Sequence, residues 1–147
     1  MKPMKELSVY VAGPLTHLKN PEIKNLYVQI GALCRELGMH ATVPHVDIEQ
    51  SHDLVTPQFI YHADSRAVRD ADVMIAYVGE TSLGVGIEIE VANQNNTLFI
   101  TFAEKETRVS RMVLGSPNLI KHVEFERVAD VVNSLRPLLE KLQKSLK

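Results

Sequence analysis

The sequence predicts an α/β fold built on a mainly parallel, five-stranded sheet. Apolar runs of strand length alternate with segments whose apolar residues recur every three to four positions, a pattern typical of strands joined by crossover helices. Two helix-start signals, Asn20-Pro21 and Thr56-Pro57, place a capping side chain directly before a proline. The chain has 147 residues, enough for one core but too few for two, so residues 1–147 are expected to form a single domain.

The predicted elements alternate along the whole chain. The predicted strands cover residues 7–12, 40–43, 73–78, 97–102 and 119–125, with the last at an edge of the sheet. The predicted helices run from Asn20-Pro21 to Gly38, from Thr56-Pro57 to about Asp70, from Leu83 to Asn95, over 108–114, and from Glu126 to the end. Residues 45–55 form the one sizeable loop, and it follows a strand's carboxyl end, where open α/β sheets bind ligands.

Charge and hydropathy exclude several classes of partner. The formal net charge is −2 and the sequence pI is about 6.3, so we expect no broad basic surface and no DNA or RNA polymer as a partner. No apolar run approaches the ~18 residues that a membrane span requires. The N-terminal residues show no secretory pattern, so we expect a cytoplasmic protein that does not bind membranes.

Cysteine and histidine usage argues against a disulfide or a metal site. Cys34 is the single cysteine, and it falls on the apolar face of the first helix, where core packing is expected. The six histidines are scattered, and no pair has helical metal-site spacing with a third ligand nearby. We therefore expect no bound metal.

Asp64 occupies an unexpected position in the helix that begins near Thr56. At about 100° per residue, it falls inside an apolar arc that runs from Phe59 to Val68. The polar residues of this helix, Ser65 among them, fall on the opposite side and do not explain the carboxylate. We therefore expect Asp64 to be buried or to line a cleft.

Glu88 repeats this pattern on the next long helix. One apolar flank carries Val85 and Ile89, and the other carries Ile87 and Val91. Acidic side chains are rarely buried without a partner, and desolvation moves carboxyl groups toward the pKa range useful in acid catalysis. Each carboxylate could instead cap a backbone group or pair with an arginine, but two such residues on consecutive crossover helices favour a functional interpretation.

A glycine-rich turn opens the helix that carries Glu88. The run Ser-Leu-Gly-Val-Gly at residues 82–86 follows the third strand, so Ser82 can cap the helix while free backbone N–H groups face an anion. The run lacks the third glycine of the dinucleotide-binding pattern and follows the wrong strand for it. Gly13, at the end of the first strand, suits either a sharp turn or the close approach of a ligand.

Three segments together resemble the nucleoside 2-deoxyribosyltransferase superfamily. They are residues 9–15 (Val-Tyr-Val-Ala-Gly-Pro-Leu), the stretch from Asp64 to the Ala-Asp-Val of 71–73, and residues 82–88 (Ser-Leu-Gly-Val-Gly-Ile-Glu). The likeness spans roughly residues 7–115 and is greatest to the 2'-deoxynucleoside 5'-phosphate N-hydrolases. It implies a Rossmann-like three-layer fold, a nucleotide or nucleoside substrate and no cofactor. It also implies a homodimer or higher homo-oligomer in which a neighbouring subunit helps to close the site.

The resemblance also implies roles for individual residues. Glu88 corresponds to the nucleophile, Asp64 to the general acid, and Tyr10 to a tyrosine that supports the nucleophile. The positions implied to contact substrate are Gly13, Pro14, Leu15, Thr16, His45, Ser82, Gly84, Gly86, Ser110 and Met112. Among these, Ser82 and Ser110 would hold a 5'-phosphate, Ser110 by reaching across the dimer, and Met112 would lie close to the same group.

One segment departs from the hydrolase pattern. Pro14 and Thr16 stand where the hydrolases carry serine and arginine, which weakens the implied phosphate site, although His17 and Lys19 could supply the lost charge.

The sequence therefore predicts an enzyme that hydrolyses the N-glycosidic bond of 2'-deoxynucleoside 5'-monophosphates. Three alternatives stay open: a nucleoside 2-deoxyribosyltransferase that moves the sugar to another base, a ribonucleotide-cleaving relative, and a non-catalytic nucleotide-binding sensor. The two serines implied to hold phosphate favour the hydrolase over the transferase. A sensor would not need both carboxylates.

Overall fold

The computed structural model describes residues 6–47 and 55–146 of the chain. Strands and helices alternate along this part, as the sequence predicts. In chain order the elements are β1 (Ser8–Ala12), α1 (Glu22–Glu36), β2 (His40–Thr42), α2 (Pro44–Asp47), α3 (Pro57–Asp70), β3 (Val73–Tyr77), α4 (Leu83–Gln94), β4 (Leu98–Glu104), α5 (Arg111–Leu114), β5 (Leu119–Phe125) and α6 (Ala129–Leu146).

The five strands form one sheet in the order β2-β1-β3-β4-β5. All four pairings are parallel, so the carboxyl ends of the strands lie at the same edge of the sheet. The predicted α/β fold with a five-stranded sheet is confirmed, and β5 is the predicted edge strand. The order reverses direction between β1 and β3, and ligands of open α/β sheets bind at such a point.

Helices cover both faces of the sheet and complete the three layers implied by the resemblance. Val9 and Val11 of β1 belong to a buried cluster shared with α1 and α6. Tyr10 and Ala12 point to the opposite face and join a second cluster with α3 and α4. This alternation follows from the two-residue period of a strand, and burial on both faces explains why the strands read as continuous apolar runs.

Two predicted helix caps are present in the structure. Thr56 Oγ1 accepts a hydrogen bond from the Phe59 N–H at 3.1 Å, and Pro57 is the first residue of α3. Ser82 Oγ accepts from the Val85 N–H at 3.3 Å at the start of α4. Each cap satisfies a backbone donor that lacks a partner within the helix.

The predicted start of α1 is wrong by one residue. Pro21 takes the N-cap position with helical backbone angles, and the helix begins at Glu22 instead of at the proline. The Asn20 side chain still contributes, because its Oδ1 accepts from the Glu22 N–H at 3.0 Å.

Other boundaries also differ from the predictions. α5 begins at Arg111 and not at 108, because Ser110 caps it, and α6 begins at Ala129 and not at 126. The predicted loop over 45–55 begins as helix α2, and residues 48–54 lie outside the described residues. Helix ends depend on local capping and tertiary contacts, so a periodic pattern does not fix them.

The predicted place of Cys34 is confirmed. Its side chain is fully buried within the cluster that joins α1 to the sheet, and burial raises the pKa of its thiol to about 12. Such a thiol is a poor nucleophile. None of the helices in residues 6–47 and 55–146 combines the length and apolar character needed to cross a bilayer.

Candidate active site

A cavity of about 470 Å³ lies between α3 and α4 and receives both predicted catalytic carboxylates. Its apolar walls include Ile60, Tyr61 and Ile87, and its two acids are Asp64 and Glu88. We call it the carboxylate cavity. Its volume is within the range of about 300–1,000 Å³ that small-molecule sites occupy, and apolar walls with a few polar groups are typical of such sites.

Asp64 lies near the middle of the face that α3 turns toward the protein. The residue is partly buried, and its Oδ1 is inaccessible to solvent. The predicted arc is rotated, however: Ser65 is buried at 6% exposure, although we placed it on the polar face, and Phe59 is 54% exposed. α3 packs against both α4 and β1, so its buried face is set by two neighbours and not by its apolar residues alone.

Glu88 lies beside the buried stripe of α4. Val85 and Ile89 are buried as predicted, whereas Ile87, on the other flank, is half exposed at the wall of the carboxylate cavity. The hydroxyl of Tyr10, which is 1% exposed on β1, donates a hydrogen bond to Glu88 Oε2. The structure thus joins Tyr10 to Glu88, and a hydrogen bond to a carboxylate fixes its orientation.

A second cavity, of about 570 Å³, lies on the other side of α4, between it and α5. It is lined by Ser82 and Ser110, together with Gly86, Met112 and Arg108, and we call it the serine cavity. The two serines that the resemblance assigns to a phosphate therefore line one cavity within a single chain. They do not line the carboxylate cavity.

Both serines also cap the helices that follow them. Ser82 Oγ caps α4, and Ser110 Oγ accepts from the Met112 N–H at 3.2 Å to cap α5. A hydroxyl that accepts one bond still has its own proton to donate. The first turn of α4 separates the two cavities, because Gly84 lines the carboxylate cavity and Gly86 the serine cavity.

The remaining predicted positions gather around the loop after β1. Residues 13–21 form this β1–α1 loop, in which Gly13, Pro14 and Leu15 are partly buried and Thr16 is exposed. None of these four is among the residues that line the carboxylate or the serine cavity. His45 lies beside the loop, because its ring is 6.1 Å from the ring of Tyr27, whose hydroxyl donates to the Pro14 carbonyl at 3.0 Å.

Sequence reasoning missed three residues that shape this region. Tyr27 supports the β1–α1 loop, and its signal was a tyrosine on a buried helix face, where the hydroxyl requires a partner. Tyr61 lines the carboxylate cavity, and its signal was the spacing of three residues from Asp64. Glu80 contacts the β1–α1 loop, and nothing in the local sequence predicts that contact.

Asp72, which belongs to one of the matched segments, has a structural contact instead of a place in either cavity. Its Oδ2 accepts from the Ser8 N–H at 2.9 Å and so ties the start of β1 to the residue before β3. Within the residues that the structure describes, no group of three or more histidine, cysteine or acidic side chains is arranged to hold a metal ion.

Known proteins resemble this chain in sequence and in fold. Two relatives carry the name "Putative 2'-deoxynucleoside 5'-phosphate N-hydrolase 1". The one from Syntrophotalea carbinolica is 32% identical over 118 residues, covering 77% of this chain and 82% of the relative. The one from Thermofilum pendens is 26% identical over 139 residues, covering 89% and 96%.

A solved structure has a similar fold. The CMP N-glycosidase BcmB of Clostridium botulinum matches with a TM-score of 0.66 and 16% identity, over 87% of this chain and 97% of the other. The family signature described as nucleoside 2-deoxyribosyltransferase matches residues 9–134, a span that contains Tyr10, Asp64 and Glu88. The chain is therefore an enzyme that belongs to the nucleoside 2-deoxyribosyltransferase family.

Proposed function

We propose that this enzyme hydrolyses the N-glycosidic bond of 2'-deoxynucleoside 5'-monophosphates to a free base and deoxyribose 5-phosphate. The observation that carries the proposal is the carboxylate cavity, which both Asp64 and Glu88 line while Tyr10 donates to Glu88. The two relatives named for hydrolysis of 2'-deoxynucleoside 5'-phosphates support the choice of substrate class.

The chemistry needs two carboxyl groups with opposite tasks. The Glu88 carboxylate attacks the anomeric carbon, and the electron pair of the breaking C–N bond leaves with the base. Asp64, in its acid form, donates a proton to the departing base. Water then displaces Glu88 from the sugar, while the Asp64 carboxylate takes a proton from that water. This is the two-step logic of retaining glycosidases, applied to a nitrogen leaving group.

The serine cavity supplies groups that suit a 5'-phosphate. The hydroxyls of Ser82 and Ser110 can each donate to a phosphate oxygen. Arg108 lines the same cavity, together with the carboxylates of Glu80 and Glu90, and forms no ion pair within residues 6–47 and 55–146, so its guanidinium can bind an anion there. It would supply the cation that is lost where Thr16 replaces an arginine.

The direct test is a substrate panel. The purified protein is incubated with deoxynucleotides, ribonucleotides and nucleosides, and the products are identified by chromatography. Release of free base from deoxynucleoside monophosphates, well above that from ribonucleotides and nucleosides, is the expected result. Turnover of nucleosides alone would contradict the proposed substrate.

Transfer of the sugar to another base is the second candidate, because the family signature carries that activity in its description. A transferase uses a base in place of water in the second step. Adding a free acceptor base to each reaction of the panel therefore separates the two activities. The hydrolase forms no new nucleoside or nucleotide that contains the acceptor base, whereas the transferase does.

Replacing Tyr10 with phenylalanine is expected to lower kcat about tenfold or more, because hydrogen bonds to charged groups contribute about 1.5–3 kcal/mol. Steady-state kinetics measure the change in kcat, and thermal unfolding measures any change in stability. Tyr77→Phe is the matched control, since this equally buried tyrosine donates to Glu104, which does not line the carboxylate cavity. Equal kinetic losses in both variants would contradict a role for Tyr10 at Glu88.

Replacing Ser110 with alanine is expected to raise KM for a monophosphate about tenfold, and to change KM for the matching nucleoside much less. Loss of the α5 cap costs roughly 1 kcal/mol of stability in addition. Thr56→Ala removes a comparable cap from α3 and controls for that loss. A KM increase of the same size for nucleoside and nucleotide would contradict a phosphate contact.

We further propose that the active enzyme is a homodimer. Ser110 then serves one of two sites: that of its own subunit, where it lines the serine cavity with Ser82, or that of the neighbouring subunit, as the resemblance implies. The exposure of two large side chains, Leu83 at 87% and Met112 at 86%, supports a partner surface beside the serine cavity. Light scattering in solution tests the dimer directly.

Mixed dimers test which site Ser110 serves. A dimer of one Glu88→Gln subunit and one Ser110→Ala subunit regains one wild-type site if Ser110 acts across the interface, so a fraction with wild-type KM is expected. If only the raised KM of Ser110→Ala remains, Ser110 acts within its own subunit.

A further inference from the structure

Glu80 connects two loops that meet at the carboxyl edge of the sheet. It belongs to residues 78–82, which lead from β3 to the Ser82 cap of α4 and which we call the β3–α4 loop. Both of its carboxylate oxygens accept a hydrogen bond from the Lys19 N–H, each at 3.1 Å. Lys19 lies in the β1–α1 loop, 61 residues earlier in the chain.

The β1–α1 loop is held at its other end by Tyr27. The Tyr27 hydroxyl donates to the Pro14 carbonyl, and a Cβ added to Gly13 would overlap the Tyr27 hydroxyl oxygen. Only glycine therefore fits at this position. Burial, reinforced by nearby acidic groups, holds the pKa of Tyr27 well above its ordinary value, so the hydroxyl remains a donor.

Between these two anchors the backbone adopts a strained conformation. His17 has a φ of 58°, in the left-handed region that residues other than glycine rarely occupy. Such a conformation persists when the surroundings impose it. The contact at Lys19, two residues further on, is a charge-assisted bond from outside the loop and is suited to that task.

We propose that Glu80 is a positioning residue that fixes the β1–α1 loop against the β3–α4 loop and so sets the width of the substrate site. The proposal rests on the proposed function and on the resemblance, which implies that Gly13 to Thr16 of one loop and Ser82 of the other both contact the substrate. Glu80 also lines the serine cavity, but in this scheme its carboxylate is held by the Lys19 N–H and does not contact the substrate. Because Glu80 holds the loop in place, substrate binding no longer includes the entropic cost of ordering that loop. This raises the affinity for the substrate more than the rate of the chemical step.

The experiment compares wild-type enzyme with Glu80→Ala and Glu80→Gln. Glu36→Gln serves as the control, because Glu36 is exposed on α1 and only pairs with Arg136. Amide hydrogen exchange, measured by NMR, reports the Lys19 contact without any substrate. We expect the Lys19 amide to exchange about tenfold faster in Glu80→Ala than in the wild-type enzyme. Glu80→Gln keeps one acceptor oxygen, so its exchange rate should lie between those two.

Kinetics then test the positioning role. Glu80→Ala is expected to raise KM about tenfold with a much smaller change in kcat, and Glu80→Gln is expected to recover part of the loss. Unchanged Lys19 exchange in Glu80→Ala would overturn the contact, and faster exchange with an unchanged KM would overturn the positioning role. Absence of turnover in the wild-type enzyme would instead refute the proposed function, and the exchange rates would still decide whether the contact exists.

Discussion

Replacing Glu88 with glutamine is expected to lower kcat by about a thousandfold or more, equivalent to about 4 kcal/mol of transition-state stabilisation. Glutamine has nearly the shape of glutamate but carries no negative charge, so it can neither attack the anomeric carbon nor stabilise positive charge there. The amide oxygen can still accept a hydrogen bond from the Tyr10 hydroxyl, so the wall of the carboxylate cavity should keep its shape.

Three measurements separate a lost reaction from a lost fold. Single-turnover kinetics give the chemical rate, ligand titration gives the affinity for a deoxynucleotide, and thermal unfolding gives the stability. The expected pattern is a lost rate with affinity and stability close to wild type. Glu140→Gln is the control, since Glu140 is an exposed glutamate on α6. Wild-type-like turnover in Glu88→Gln would remove this residue from the mechanism.

Much of the fold followed from local patterns. β3 (Val73–Tyr77) is buried throughout, so its continuous apolar run identified it without any knowledge of its neighbours. The caps at Thr56 and Ser82 were visible because a capping side chain acts within its own first turn. Boundaries such as the start of α6 were wrong, because they depend on packing that the local sequence does not specify.

The candidate site was predictable to a lesser degree. Asp64 and Glu88 stood out because each interrupts an apolar helix face, and the structure places both in one cavity. The orientation of α3 was wrong in detail, since Ser65 is buried and Phe59 is exposed. A sequence gives the period of a helix, but the direction of its buried face comes from the elements that pack against it.

Contacts between distant loops could not be predicted at all. The bond from Lys19 to Glu80 joins residues 61 positions apart, and neither residue differs from an ordinary surface charge in its local sequence. The division of the site into a carboxylate cavity and a serine cavity has the same origin. Ser82 and Ser110 share one cavity because α4 and α5 follow the neighbouring strands β3 and β4.

Replacing Asp64 with asparagine is expected to lower kcat/KM for a guanine deoxynucleotide by about a hundredfold or more, because general acid catalysis typically contributes about 10²–10⁴-fold. Asparagine keeps the size of the side chain but has no acidic proton to give to the leaving base. The structure supports this task, since Asp64 shares the carboxylate cavity with Glu88 and its Oδ1 is shielded from water.

The choice of leaving group distinguishes an acid from a residue that only binds or stabilises. N7-methylguanine carries a positive charge in the nucleotide and departs as a neutral base without protonation, so Asp64→Asn should cleave this substrate with less than about a tenfold loss. Glu88→Gln should lose activity on both substrates alike, because each requires the nucleophile. Asp70→Asn is the matched control, as Asp70 lies on the same helix and its side chain forms an exposed ion pair with Arg66 at 3.6 Å. Equal losses of Asp64→Asn on the two substrates, or a large fall in its melting temperature, would show that Asp64 positions or stabilises the cavity instead of acting as the acid.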